Sequence, residues 1–151
     1  MPVFLNQPRE KAMKKSLLLN AELSHLIACL GHTDAVTVAD AGLPIPAETA
    51  RIDLALTHGV PSFMQVVQSI TAEMQVEAVL MAEEFATVSP ELHRAVLAHL
   101  ELLAAEQGRE IFIEYVPHDT FKVRTRSSRA VVRSGECTPY ANLIFYSGVV
   151  F

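Results

Sequence analysis

The 151-residue chain has little cysteine and little glycine, and each shortage removes a class of function. Cys29 and Cys137 stand far apart, outside any CxxC and without a histidine at ligand spacing, so neither a disulfide framework nor a zinc site is indicated. Two reduced thiols in a cytosol are expected. The six glycines form no GxGxxG, Walker loop or GxSxG, and no HExxH occurs; nucleotide-dependent chemistry lacks its usual signals. No apolar run reaches the roughly 18–20 residues a membrane span needs. The longest candidate near the end, residues 141–151, is interrupted by Ser147 and Gly148. Positive charge is also short: a formal net charge of −5 with scattered basic residues leaves no footprint for nucleic acid or an anionic membrane.

Half of the chain is apolar, enough for one domain with a sizeable core and too little length for two. Residues 1–12, with Pro2 and Pro8, read as an irregular leader before a natural start at Met13, and the domain is expected over 13–151. Leu23, Leu26, Ile27 and Leu30 repeat at helical spacing between the N-cap Asn20 and Gly31. Residues 35–39 read as a buried strand that delivers Asp40 to its carboxyl end. Alternation over 51–57 predicts a second strand, Ser62 caps a helix over 62–70, and 76–81 reads as a third strand, although periodicity alone also allows one longer helix there. Ser89-Pro90-Glu91 starts a helix whose stripe Leu92, Val96, Leu100 and Leu103 runs to Gly108. Residues 110–116 alternate as a strand, 117–128 are irregular with one helical turn, and 130–133 and 141–150 complete the strands. This alternation predicts an α/β layered sheet with flanking helices, its ligand outside the carboxyl ends of the strands.

Three segments carry more functional side chains than loops require: 30–34 with 40–44, His118, and 133–136 with 139–142. Histidine suits proton transfer near neutral pH, yet His32 after a helix end also fits a simple dipole interaction. Asp40 fits a turn cap as well as a ligand role. Tyr140 and Asn142, two apart at a strand start, share one face if the backbone there is extended, although core packing of the tyrosine explains it equally. His118 divides evenly between the two readings, and Arg133 with Glu136 fits a surface ion pair. His25, His58, His93 and His99 read as surface residues. Glu73 with Glu77, and Glu83-Glu84, fit solvated faces better than a glycosidase's carboxylate pair.

The segments Leu30-Gly31-His32-Thr33-Asp34, Asp40-Ala41-Gly42-Leu43-Pro44-Ile45-Pro46, Gly59-Val60-Pro61-Ser62-Phe63-Met64-Gln65 and Arg133-Ser134-Gly135-Glu136-Cys137-Thr138-Pro139-Tyr140-Ala141-Asn142 together resemble the D-ribose pyranase family. The likeness runs in unbroken order from Met13 to Phe151; the fucose mutarotases are more distant in the His32 and Asp40 loops. The resemblance implies interconversion of the pyranose and furanose forms of D-ribose with no metal or organic cofactor. It assigns His32 as proton donor and places Asp40, His118, Tyr140, Ala141 and Asn142 around the sugar. It further implies a homo-oligomer, rings of five subunits pairing into decamers, with sites near subunit boundaries. Two alternatives stay open: a mutarotase of fucose or another aldose, and a non-catalytic sugar-binding accessory of ribose uptake.

Overall fold

A computed structural model describes residues 13–151; the leader expected over 1–12 lies outside the described residues. Asn20 accepts the Leu23 N–H at 2.9 Å and opens helix α1 (Ala21–Ala28), the side-chain cap that its short amide makes possible. Strands β1 (Ala35–Ala39) and β2 (Arg51–Asp53) follow. Ser62 and Gln65 then form a reciprocal capping box at the start of α2 (Phe63–Thr71), which satisfies two otherwise orphaned amides. Next come β3 (Val76–Ala82), α3 (Glu83–Val88), α4 (Pro90–Gln107), β4 (Phe112–Val116) and α5 (His118–Arg124). A 3-10 turn (Thr125–Ser127), β5 (Ala130–Arg133) and β6 (Leu143–Ser147) complete the order.

The six strands form one sheet in the order β2-β5-β1-β6-β3-β4. Only β6 runs against its neighbours, pairing Val38 with Leu143 on one side and Met81 with Leu143 on the other. The other pairings are parallel. The carboxyl ends of β1, β3, β4 and β5 and the start of β6 therefore share one edge of the sheet. The starts of β1 and β3 and the end of β6 share the opposite edge.

Both faces of the sheet are covered, so β1 is buried at all five positions. Val36 and Val38 join Phe63, Val67, Val96, Leu100 and Phe145 in the larger core beneath α1, α2 and α4. Ala35 and Ala39 join Val131, Ile144 and Phe121 of α5 in the smaller one. Such doubly covered strands read as continuous apolar runs, which is why residues 35–39, 76–81 and 130–133 were legible. Among the described residues no helix is long and apolar enough to cross a membrane.

Several expectations need correction. The strand expected over 51–57 ends at Asp53, because the Asp53 carboxylate turns back to accept the Ala55 N–H at 3.1 Å and Leu56 is left exposed. Residues 83–88 are helical, and 118–124 make two turns rather than one. The last strand is Leu143–Ser147, shorter than 141–150. Ser89 precedes α4 but does not cap it; its hydroxyl donates to the Pro139 carbonyl at 2.6 Å. His93 is buried, 2.7 Å from the Tyr115 hydroxyl, and His99 is half-buried against Thr71. Neither is a surface residue, because each faces a polar partner through an otherwise apolar stripe. Burial pushes both imidazoles below their ordinary range, as expected when water is withdrawn from the charged form.

Candidate active site

Four strand ends deliver polar groups to the first edge. Asp40 follows β1, and the Asn142 amide grips it twice: Asn142 Oδ1 accepts the Asp40 N–H at 2.8 Å, and Nδ2 donates to Asp40 Oδ2 at 3.0 Å. The other carboxylate oxygen of Asp40 accepts the Gly42 N–H at 2.9 Å, so the capping and site-forming readings of this residue hold together. Asn142 is 1 % exposed and Ala141 fully buried; both face inward, and Asp40, Tyr140 and His118 stay partly accessible. The Tyr140 and His118 rings meet edge to face, centroids 4.9 Å apart. His118 also stacks on Phe121, and its backbone N–H is held by the Glu84 carboxylate at 2.9 Å. Its Nδ1 is buried without a hydrogen-bond partner, an atom that a ligand hydroxyl would satisfy.

Tyr140 and Asn142 do not share a strand face. Tyr140 has φ +61°, a left-handed conformation costing on the order of 1–2 kcal/mol for a residue with a Cβ. That turn sends the ring toward His118 and the Asn142 amide toward Asp40. The segment is held from several sides. Ser89 fixes the Pro139 carbonyl; the Glu136 carboxylate accepts the Phe63 N–H and the Thr138 hydroxyl, each at 2.9 Å. Arg133 pairs with Asp53 at 3.1 Å and donates to the Ala41 carbonyl. The expected Arg133–Glu136 pair is therefore not formed, because each has a partner on another loop.

His32 lies elsewhere. It precedes β1, whereas Asp40 follows it, and five extended residues at about 3.3 Å each put roughly 13–16 Å of backbone between them. The ring sits beside the start of β3, Nε2 3.1 Å from both Glu77 carboxylate oxygens, and its side chain is 52 % exposed. Its turn is tightly specified. Thr33 has φ +70°, and a β-branched residue there is a genuine outlier. Thr33 N–H donates to the Ser147 carbonyl at 2.8 Å, and Asp34 accepts the Gly31 N–H at 2.8 Å. That N–H, reinforced by Arg129, holds the Asp34 carboxyl below its ordinary range. Thr33 and Tyr140 are the only non-glycine residues with positive φ among those described. Strain of this kind gathers at functional sites, and here it adjoins both candidate clusters.

The structure thus unites Asp40, His118, Tyr140, Ala141 and Asn142 and leaves His32 across the sheet. Sequence reasoning missed the anchoring roles of Glu77, Glu84 and Ser89. Each carboxylate or hydroxyl partners a residue more than thirty positions away, and no periodicity signals that.

A D-ribose pyranase from Vibrio cholerae is 63% identical over 141 residues, covering 92% of this chain and all of its own length. The solved structure of Bacillus subtilis RbsD complexed with D-ribose is 43% identical, with a TM-score of 0.80 over 92% of this chain and 100% of that one. A fucose mutarotase from Streptococcus pneumoniae, solved with L-fucose, shares the fold at 21% identity and a TM-score of 0.62, over 87% of this chain and 94% of its own. The model of the RbsD / FucU transport protein family matches residues 13–150, and the chain belongs to that family.

Proposed function

We propose that this protein is a D-ribose pyranase, interconverting the pyranose and furanose rings of the free sugar. One observation carries the reading: 63% identity, over 92% of this chain, to the whole length of a relative of that name. The 43% identical relative solved with D-ribose supports the same substrate. The strand-end cluster also suits a small polyol, offering a carboxylate, a phenol and an imidazole with an unpartnered nitrogen.

The chemistry follows from the hemiacetal. The anomeric hydroxyl loses its proton to water as the C1–O5 bond breaks, and O5 takes a proton from His32. The open aldehyde is then attacked at C1 by O4, whose proton returns to the histidine while the carbonyl oxygen recovers one from water. A ring that opens unaided over minutes faces about 21 kcal/mol, so the roughly 10²–10⁴-fold that a positioned acid supplies is useful. Asp40, Tyr140 and His118 orient the hydroxyls, with Ala141 and Asn142 shaping the wall behind them.

His32 reaches that sugar only from another subunit. Rings of five that pair into decamers bring the start of β1 in one subunit to the strand-end cluster of the next. The free, exposed Cys29 and Cys137 favour a reducing cytoplasm.

Saturation-transfer proton NMR tests the function directly. Exchange between ribose pyranose and furanose signals should accelerate with added protein, and L-fucose should respond less. Ribose binding without faster exchange would reduce the protein to a sugar-binding module, and a larger effect on fucose would reassign the substrate.

A further inference from the structure

The His32–Glu77 contact lies outside the strand-end cluster, and the local backbone is built to make it. Along the β3–β6 pairing, Val76 stands opposite Ser147 and Ala78 opposite Tyr146. Glu77 is therefore the extra residue of a β-bulge, an irregularity that re-aims a side chain. The space for it comes from Gly148: a Cβ there would lie 3.3 Å from Glu77 Cβ and 3.6 Å from Glu77 N. The neighbouring Ser147 carbonyl receives the Thr33 N–H, and Gly148 N–H donates to the Gln75 carbonyl at 3.0 Å. One short stretch of backbone thus fixes both the bulge and the strained turn that carry the two partners.

We infer that Glu77 is the positioning residue for His32: its carboxylate engages Nε2 and so turns Nδ1, the other ring nitrogen, to the sugar. This rests on the reading of His32 as the acid. With both carboxylate oxygens 3.1 Å from Nε2, that nitrogen keeps its proton in both charge states of the ring. The proton given to O5 is the one on Nδ1, and the neutral ring left behind is the Nε2–H tautomer. Fixing the tautomer through a carboxylate is the job that a third group performs for catalytic imidazoles generally. Both side chains are about half-exposed, so replacing Glu77 should leave folding intact.

The test uses two Glu77 variants and two readouts. Glu77→Ala should lower kcat on the order of tenfold with little change in KM, and Glu77→Gln, whose amide oxygen still accepts from Nε2, should recover most of the loss. In magic-angle-spinning 15N spectra of histidine-labelled protein at alkaline pH, the His32 ring, assigned by difference from His32→Ala, should be the Nε2–H tautomer in wild type and a mixture in Glu77→Ala. Equal kcat in the two Glu77 variants, or an unchanged tautomer in Glu77→Ala, would overturn the inference. The spectra read the ring without reference to catalysis. An active His32→Ala protein would instead remove the acid role itself, whatever Glu77 does.

Discussion

Replacing His32 by alanine should return ribose ring exchange to within a few-fold of its uncatalysed rate, a loss of roughly 10²–10⁴. At about 1.4 kcal/mol per tenfold, that is about 3–5 kcal/mol of transition-state stabilisation. The side chain is half-exposed and contacts the equally exposed Glu77, and exposed pairs of this kind contribute little to folding. Thermal stability of the variant should therefore stay close to wild type, and size-exclusion chromatography should show the same assembly. The same saturation-transfer experiment reads the rate. Exchange that persists at the wild-type rate would mean that the proton comes from another group.

Gly135→Ala is expected to have the largest effect on stability. Gly135 exchanges backbone hydrogen bonds with the 57–61 segment: its carbonyl accepts the Gly59 N–H at 2.6 Å, and its N–H donates to the Pro61 carbonyl at 2.8 Å. A Cβ at this position would press on the Val60 carbonyl and lie 2.6 Å from the Thr57 carbonyl oxygen. Backbone on both sides leaves no flexible side chain to yield. Overpacking of this kind costs about 3 kcal/mol, which lowers Tm by roughly 6–12 °C in a chain of this size. Because the 133–142 segment also carries Tyr140 and Asn142, ribose affinity should fall with it. Differential scanning calorimetry at fixed protein concentration checks the stability, and a variant within 1 °C of wild type would show that the two loops slide apart freely.

Much of this was legible in the sequence, for physical reasons that differ from place to place. Strands buried on both faces announce themselves as apolar runs, and Asn20, Ser62 and Pro90 mark helix starts through backbone chemistry that is local. The ends of β2 and β6 were not legible, because an Asp53 side chain turning back on its own backbone ends one pairing. At Tyr140 the left-handed backbone defeats period-two reasoning, since alternation presumes extended residues. The strand-end location of Asp40, His118 and 134–142 was foreseeable from α/β topology. That His32 stands at the opposite edge was equally implicit in its position before β1 rather than after it. The partners of the site residues were invisible, as contacts such as Glu77 with His32 and Glu84 with His118 depend on three-dimensional register alone.

The proposed catalysis depends on His32 of one subunit serving the sugar held by another, and co-assembly measures that directly. His32→Ala and the double variant Asp40→Ala/His118→Ala should each be nearly inactive alone. Co-expressed in equal amounts, they should regain about a quarter of wild-type exchange, because random neighbours in a cyclic ring pair an intact His32 with an intact pocket that often. Mixed assemblies no more active than either parent would place the acid and the sugar in one chain and contradict the account.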